Sequence, residues 1–292
     1  MRHKRINTKF KVFGLFIILT DVILLIWANN KYCLFAFNFD DKSGVHQFRV
    51  LTWNIHSTNI ENQGEQESIA RLIIAQDADI IQLNEFTLDS CLLIDSLLSE
   101  HNPYKVDVNA KVKAGDVFYS KVQFVESGKI DKVIPNGIYS KMYIGKDSLY
   151  VLGCHLPGNN HEGQIEIDDA DSLRRVKLFW GRYRHAQEKR KESVRFFIKK
   201  IRESSGPIVM MGDMNDFNAS APMDSLKDAG MKNAWWEGGF GYGATYHEGW
   251  LRLRIDHIYY NEKLKLKDVK VVNTDLSDHN ILIADFSITN QE

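Results

Sequence analysis

Short apolar runs alternate with helical patterns along most of the chain. Helices are predicted where apolar residues recur at helical spacing, around Ile69–Ile73 and around Val194–Ile201. Strands are predicted where apolar residues cluster in short runs, at 48–54, 78–85, 116–125, 137–144, 149–155, 207–211, 254–260, 268–273 and 281–287. Short strands with helices between them predict a mixed α/β protein with sizeable sheets.

The N-terminal segment 1–28 has a different pattern. A basic stretch, MRHKRINTKFK, precedes the apolar run VFGLFIILTDVILLIWA (12–28), which Asp21 interrupts. This run is at the short limit for a membrane span, and no small-residue cleavage pattern follows it. We therefore predict an uncleaved signal anchor, in preference to a cleaved signal peptide or a peripheral helix. The positive flank would place the body of the protein outside the cytoplasm.

The rest of the chain is long enough to bury one large core. Residues 29–46 have the composition of a linker, and residues 47–292 are predicted to form a single domain. The three cysteines, Cys33, Cys91 and Cys154, cannot all pair with one another and lack metal-finger spacing. Buried free thiols are therefore expected.

Charge is distributed unevenly along the chain. The net charge is −1, but residues 1–45 hold seven basic and three acidic residues, which leaves 30 basic and 35 acidic residues in the remainder. The body of the protein is therefore mildly acidic, with a net charge of −5. Because duplex-DNA binding depends on many contacts between basic side chains and phosphates, this balance argues against duplex DNA as the main partner.

One segment runs against that balance. Residues 174–202 contain twelve basic and two acidic residues, and four acidic residues lie just upstream, at 166–171. A solvated helix face balanced by the acidic stretch is the simpler interpretation. A cationic rim for a phosphate-rich substrate or an anionic membrane is the alternative.

Candidate chemistry first appears at the end of the strand PIVMM. The segment VMMGDMNDFN (209–218) places Asp213 and Asn215 two residues apart, directly after the apolar run. In an extended chain, residues two apart point to the same side, so this carboxylate and this amide could face one spot. A plain turn is the alternative, because Gly, Asp and Asn are common turn residues.

Polar residues lie at the ends of other predicted strands too. Asp256 lies within the apolar segment LRIDHIYY, where a carboxylate is costly to bury without a partner, so we expect it to pair with a histidine. The other polar residues of this kind each have a plain structural explanation when taken alone, as a cap, a turn or a structural histidine. They are Asn54, Glu85, His155, Asp278 and His279.

Three of these residues could hold a cation. Glu85 offers a hard carboxylate ligand suited to Mg²⁺, and Asn54 and Asp278 can help to hold the ion or its waters. The pattern therefore predicts a metal site assembled from three separate parts of the chain.

The remaining residues could act on a phosphate ester. Asp213 can take a proton from an attacking water while Asn215 fixes its orientation. His279, oriented by Asp256, and His155 can meet the charge that develops on a phosphate oxygen. Together with the metal site, this set predicts metal-assisted hydrolysis of a phosphate ester.

The ordered motifs TWNIH, ADIIQLNE, GCHLPGN, MGDMND, RIDHIYY and SDHN resemble those of the endonuclease/exonuclease/phosphatase superfamily, which has the fold of DNase I. The resemblance covers residues 47–288 and makes 47–292 the catalytic domain. It implies a four-layer α/β sandwich, in which two mixed β-sheets pack face to face with helices outside. It also implies Mg²⁺ as the cofactor, with Mn²⁺ as a substitute, and in-line attack by a water that Asp213 activates.

The chain departs from the family pattern in several places. Asn84 stands where many members carry glutamine, and His56 stands where DNA-repair members carry an acid. No acidic partner for His155 can be named from the sequence. The insert at 159–185 has no recognisable counterpart, which leaves specificity open.

The substrate expected from these observations is a small or membrane-borne phosphoester. The alternatives are a nuclease that acts on DNA or RNA and a catalytically inactive, membrane-tethered binding protein on the same fold. GDMND also has a superficial likeness to two-metal phosphatase motifs, but the GNH[ED] motif of those enzymes is missing. The predicted partners are the phosphoester and, through the N-terminal segment, a membrane, while the oligomeric state is not predictable from the sequence.

Overall fold

A computed structural model describes residues 19–29, 34–38, 47–60, 62–108, 115–131, 137–159 and 172–289, with the backbone alone described for 172–179. The acidic stretch 166–171 lies outside the described residues. Two six-stranded sheets dominate the described part of the chain.

The first sheet is mixed and contains one parallel pair. In spatial order its strands are β15 (Leu264–Val272), β16 (Ile281–Ile288), β2 (Phe48–Asn54), β3 (Ile80–Phe86), β5 (Gly115–Ser120) and β4 (Tyr104–Val108). Strands β2 and β3 are parallel, and the other neighbours are antiparallel.

The second sheet repeats this arrangement. Its strands are β10 (Lys232–Asn233), β14 (Asp256–Tyr260), β9 (Ile208–Asp213), β8 (Asp147–His155), β7 (Gly137–Ile144) and β6 (Phe124–Lys129). Strands β8 and β9 form its parallel pair, again at the centre of the sheet.

Helices and two small ribbons complete the described elements. The ribbons pair β1 (Ala36–Phe37) with β11 (Phe240–Gly241) and β12 (Tyr246–Glu248) with β13 (Leu251–Leu253). The helices are α1 (19–29), α2 (Gln63–Ile74), α3 (Leu92–His101), α4 (Ser172–Glu203), α5 (Ala221–Asp228) and α6 (Ala234–Gly238), with 3-10 turns at Ser57–Asn59 and Leu88–Ser90.

Alternation along the strands assigns neighbouring residues to different cores. Val50 and Val209 lie in the core between the two sheets, whereas Leu51 packs with α2 and α3, and Met210 packs with α4 and α5. Because successive side chains of a strand point to opposite faces, each central strand is buried on both sides. The result is the four-layer α/β sandwich that the family resemblance implies.

One predicted strand is divided in two. The run 116–125 forms most of β5 in the first sheet and the start of β6 in the second sheet. Between them the Oγ of Ser120 accepts a hydrogen bond from the backbone N–H of Val122, at 3.0 Å. This local bond satisfies a turn that carries the chain from one sheet to the other.

The prediction that residues 12–28 form a membrane anchor is wrong on the evidence of the described residues. The described residues of α1 are 19–29, and no helix among the described residues is long and apolar enough to cross a bilayer, which needs about 20 apolar residues. The predictions of a transmembrane helix and of a membrane-anchored location are corrected accordingly. Residues 12–18 lie outside the described part of the chain.

Part of the expected linker is built onto the domain. Ala36 and Phe37 pair with Phe240 and Gly241, and the side-chain amide of Asn38 donates to the carbonyl oxygens of Trp236 and Gly239, at 3.1 and 3.0 Å. Residues 34–38 therefore contact the segment that precedes β12. Strand β12 in turn lies beside the site described next.

Candidate active site

The inner faces of both sheets change from apolar to polar at one edge. Strands β2, β3, β8 and β9 all end there, and the antiparallel strands β5 and β14 begin there. The side chains that continue the apolar inner rows are buried and polar: Thr52, Asn54, Gln82, Asn84, Asp116, Asp213 and Asp256. Such a buried polar layer needs internal partners, and these partners define the site.

Asp256 and His279 form a buried pair. Nδ1 of His279 lies 2.8 Å from Oδ2 of Asp256, and both side chains are almost fully buried. Burial opposes the charged imidazole, but Asp256, with Asp213 and Asp278, outweighs it and raises the pKa of His279 to about 10. His279 is therefore a cation at neutral pH, and its Nε2 faces Oδ2 of Asp213 at 3.8 Å.

Asp213 lies at the centre of the site. Its backbone N–H donates to Oδ1 of Asn84 at 3.0 Å, and its Oδ2 accepts from Nδ2 of Asn54 at 3.1 Å. Burial raises the pKa of Asp213, and the negative charge of Asp256 raises it further. A carboxylate with a raised pKa is a stronger proton acceptor than an ordinary aspartate.

Glycine is required directly before Asp213. Gly212 has a φ of +138°, and a Cβ at this position would overlap the carbonyl oxygen of Cys154 in the neighbouring strand. A residue without a side chain thus lets β9 approach β8 closely where both strands carry site residues.

Asn215 reaches the site by a different route from the one expected. Strand β9 ends at Asp213, and Asn215 adopts a left-handed conformation with a φ of +52°. The extended-chain argument therefore fails, because the backbone turns after Asp213. Instead, Asn215 N–H donates to Oδ1 of Asp213 at 2.8 Å, and Nδ2 of Asn215 donates to the carbonyl oxygen of Leu156 at 2.9 Å.

A bulge aims Glu85 at the site. By alternation Glu85 would follow Leu83 toward the helices, but the register of β3 against β5 shifts between Leu83 and Phe86, and Glu85 has a φ of +54°. Bulges of this kind redirect side chains beside functional sites. Oε1 of Glu85 accepts from Nδ2 of Asn54 at 3.0 Å, and the carboxylate keeps partial contact with solvent.

Asn54 joins two carboxylates. Its Nδ2 donates to Glu85 and to Asp213, while its Oδ1 accepts from the backbone N–H of His56 at 3.1 Å. The structure thus places this predicted metal ligand beside Glu85, with its amide oxygen directed at the loop after β2.

His155 lies near three carboxylates, those of Glu85, Asp213 and Asp116. Its Nε2 lies 3.7 Å from Oε1 of Glu85 and 3.9 Å from Oδ2 of Asp213. Its Nδ1 lies 3.9 Å from Oδ1 of Asp116, the acidic neighbour that could not be named from the sequence. Burial raises the pKa of Asp116 to about 7, against the lowering effects of His155 and Asn84.

Asp278 lies on the outer side of His279. Its Oδ1 is 3.2 Å from Nδ1 of His56, a residue in a left-handed conformation. Burial alone would raise the pKa of Asp278, but the hydrogen bond with His56 and the charge of His279 lower it. Asp278 and His56 line a cavity of about 250 Å³ that Glu65 and Asp275 also line.

Comparison with known proteins identifies the family. The profile of the "Endonuclease/Exonuclease/phosphatase family" matches residues 51–279, which contain every site residue described above. The chain belongs to this family. The endonuclease/exonuclease/phosphatase family consists in general of hydrolytic phosphoesterases and nucleases that use a divalent metal.

Relatives of known structure share the family's fold. A crystal structure of humanized D. rerio TDP2 has a TM-score of 0.64 at 15% identity, covering 82% of this chain and 98% of that chain. The endonuclease/exonuclease/phosphatase from Bacteroides vulgatus has a TM-score of 0.61 at 18% identity, covering 83% of this chain and 99% of that chain. A UPF0294 protein of Vibrio campbellii is 24% identical over 259 residues, 86% of this chain and 80% of that protein.

The donor set suits the divalent metal that the family uses. Asp213, Asp256 and His279 have ligand atoms within 4.8 Å of one another, but His279 is protonated and paired with Asp256. The carboxylates of Asp213 and Glu85, which both accept from Nδ2 of Asn54, are therefore the donors available to an ion. Oxygen-rich sets of this kind match the ligand preference of Mg²⁺. Because Asp256 already holds His279, Glu85 is the carboxylate better placed to hold an ion.

Two residues of the site, Asn84 and Asp116, were not predicted as site residues from the sequence, although Asn84 was noted as a departure from the family pattern. Asn84 bridges Asp213, Asp116 and the carbonyl oxygen of Cys154. The available signal was its position two residues after Gln82 on the inner row of β3. Asp116 carried a weaker signal, a carboxylate at the start of an otherwise apolar strand, because nothing local indicated that β5 lies near His155.

Proposed function

We propose that this protein is a metal-dependent phosphoesterase in which Asp213 activates the attacking water and His279 and His155 contact the phosphate. The observation that carries the proposal is the convergence of both imidazoles on one oxygen. Nε2 of His279 and Nε2 of His155 lie 3.8 and 3.9 Å from Oδ2 of Asp213. A phosphate placed among these groups has a base and two hydrogen-bond donors within reach.

The protonation states support these roles. His279 is charged at neutral pH because of Asp256, so it can stabilise negative charge that develops on a phosphate oxygen. Asp213 has a raised pKa, so it can take a proton from water, and Asn215 is held beside it by the bond to Oδ1.

The proposed metal-binding residues are Glu85, Asn54 and Asp278. Glu85 combines a carboxylate aimed by a bulge with partial exposure, which leaves access for an ion. When bound, a divalent ion would polarise the phosphoryl oxygen and offset its charge. The protein's own part is to hold the carboxylate in place, which Asn54 does from the neighbouring strand.

The substrate class proposed is a small phosphoester rather than long duplex DNA. The body of the chain is net acidic, and the cavity beside Asp278 is lined by two further carboxylates, Glu65 and Asp275. Both features disfavour a polyanion that must follow the surface. The basic stretch supports a nuclease as the second candidate, since Arg184, Arg195 and Lys199 are exposed along α4.

A nuclease also has a fold-level precedent. A crystal structure of D. rerio TDP2 complexed with a single-strand DNA product has a TM-score of 0.62 at 14% identity. The bound DNA belongs to the TDP2 structure, and it is the reason to include single-stranded DNA among the substrates tested below.

The test compares purified protein on small phosphomonoesters and phosphodiesters, a phospholipid, single-stranded DNA and plasmid, each with Mg²⁺, with Mn²⁺ and with a chelator. We expect metal-dependent turnover of a small phosphoester that Asp213→Asn abolishes, while Asp228→Asn on the far end of α5 has no effect. Turnover confined to DNA, with a steep salt dependence, would make the protein a nuclease. No turnover of any substrate, with and without metal, would favour an inactive binding protein.

A further inference from the structure

A completely buried arginine lies behind the site. Arg190 projects from α4 and has no solvent-exposed surface. Its Nε donates to the carbonyl oxygen of Pro157 and its Nη2 to Oδ1 of Asn159, both at 2.7 Å. Its Nη1 lies 3.6 Å from Oδ2 of Asp216. One guanidinium thus contacts the loops that follow β8 and β9.

Asp216 is fixed from several directions. Its Oδ2 accepts from Nε2 of Gln187 at 2.7 Å, and its Oδ1 accepts from the backbone N–H of Phe217 at 3.0 Å. Its carbonyl oxygen lies 2.9 Å from Nε2 of the buried His257. The five residues Arg190, Gln187, Asp216, Pro157 and Asn159 are called the Arg190 bridge below.

The loops joined by this bridge are the ones that carry site residues. Pro157 follows His155 by two residues, and Asp216 follows Asn215 directly. Near the site two hydrogen bonds join the same loops, from Leu156 N–H to the carbonyl oxygen of Asp213 and from Asn215 Nδ2 to the carbonyl oxygen of Leu156. The Arg190 bridge is a second, charged connection between these loops.

Stability alone is a weak reason for such a bridge. Burying a guanidinium and a carboxylate costs solvation that their attraction only partly restores, and apolar residues of similar volume often stabilise a core as well. Apolar residues cannot hold polar groups of two loops in defined positions, because they form no directional hydrogen bonds. The planar guanidinium holds two hydrogen-bond acceptors and one ion-pair partner in a fixed arrangement, which a lysine ammonium cannot reproduce.

We propose that Arg190 is a positioning residue that sets the placement of His155 relative to Asp213 and Asn215. It acts through Pro157 and Asn159 on one loop and through Asp216 on the other, and it touches no reacting atom. The inference rests on the proposed function for its effect on turnover, but the geometry itself can be tested without turnover.

The kinetic test uses Arg190→Lys with two matched controls. Arg195→Lys makes the same change at an exposed position of α4, and Val194→Ala loosens the packing of α4 on the second sheet without touching the bridge. We expect Arg190→Lys to lower kcat roughly 10- to 100-fold, the usual size of an effect on groups that orient a site. Because Arg190 does not contact substrate, kcat/KM should fall in parallel and KM should stay unchanged. All variants are assayed well below their melting temperatures.

A second measurement is independent of activity. Amide hydrogen exchange at Leu156 and Asn215 reports the bonds that join the two loops to Asp213. We expect Arg190→Lys to speed exchange at both amides, while Val194→Ala and Arg195→Lys leave them at wild-type rates. The exchange result stands even if the wild-type protein turns over none of the substrates, so failure of the proposed function is distinguishable from failure of this inference.

Three outcomes would overturn the inference. Wild-type exchange rates at both amides in Arg190→Lys would show that the bridge does not position the loops. Unchanged kcat in an active protein would remove its role in the reaction. An equal loss of kcat in Val194→Ala would reduce the effect to the docking of α4.

Discussion

Nδ1 of His279 lies 2.8 Å from Oδ2 of Asp256 at the meeting point of the two sheets, although 22 residues of chain separate the two residues. Asp256 begins β14 of the second sheet, and His279 lies two residues before β16 of the first sheet. The pair therefore bridges both layers of the sandwich, and its two members should act as a unit.

Removal of either member should cost about as much as removal of both. We expect His279→Ala to lower kcat roughly 10²–10³-fold, as for other groups that stabilise developing charge. Groups that work as a unit are non-additive when removed, so Asp256→Asn combined with His279→Ala should lose little more than the worse single variant. Steady-state kinetics of the three variants decides this, and fully multiplicative losses would contradict the pairing.

The same pair should make stability depend on pH. The folded pKa of His279 is about 10, above the ordinary value of 6.5, so the folded state binds the proton more tightly than the unfolded state. The stabilisation is fully present below about pH 6.5 and is lost as pH rises toward 10. Urea unfolding of metal-free protein across this range should show the decline, and Asp256→Asn should flatten it. A wild-type slope in Asp256→Asn would assign the effect to other groups.

Glu85→Gln should separate charge from shape. The amide keeps the volume of the side chain and can still contact Asn54, but it lacks the negative charge that a hard divalent ion needs. We expect activity to fall by orders of magnitude and Mg²⁺ affinity to weaken, with an unchanged melting temperature. Glu100→Gln, at an exposed position of α3, is the control. Near-normal metal affinity in Glu85→Gln would remove Glu85 from the metal site.

Asp116→Asn should lower activity and raise the stability of the protein at high pH. The folded pKa of Asp116, about 7, lies above its ordinary value of 3.8, so burial of the charged form destabilises the protein at high pH. This cost is absent below about pH 3.8 and complete above about pH 7. Asp116→Asn should therefore raise the free energy of unfolding at pH 8 relative to wild type and not at pH 3.5. Activity should fall, because His155 loses its acidic neighbour. Greater stability at pH 3.5 alone would contradict the argument.

Two glycines offer a matched test of the close approach of β8 and β9. Gly212 and Gly230 both have positive φ, but a Cβ at Gly230 meets no atom, whereas one at Gly212 overlaps backbone of Cys154. Gly230→Ala should cost about 1–3 kcal/mol, the strain of the backbone conformation alone. Gly212→Ala should cost clearly more and should also reduce activity, since Asp213 must shift. Equal losses of unfolding free energy in the two variants would show that the overlap is relieved cheaply.

Local patterns in the sequence determined much of the fold. The short apolar runs at 48–54 and 78–85 predicted strands, and the structure has strands at Phe48–Asn54 and Ile80–Phe86. Once a strand is placed, alternation determines which side each residue occupies. The same local reasoning identified Asp256 as a buried carboxylate in need of a histidine, because the cost of an unpaired charge does not depend on the rest of the fold.

Hydropathy of the N-terminal segment was a poorer guide. The apolar run 12–28 predicted a membrane anchor, whereas no helix in the described part of the chain is long and apolar enough to span a bilayer. A run at the short limit of length leaves the outcome to the helix boundaries, which hydropathy does not determine.

Tertiary structure alone decided the details of the site. Glu85 faces the site because the pairing of β3 with β5 contains a bulge, and Asn215 does so because the chain turns left-handed after Asp213. Asp116 and Arg190 became visible only when strands and helices far apart in sequence were packed together. Strand alternation is a local property that one segment can encode, but a bulge, a buried ion pair and the spacing of two loops depend on partners that the segment does not contain.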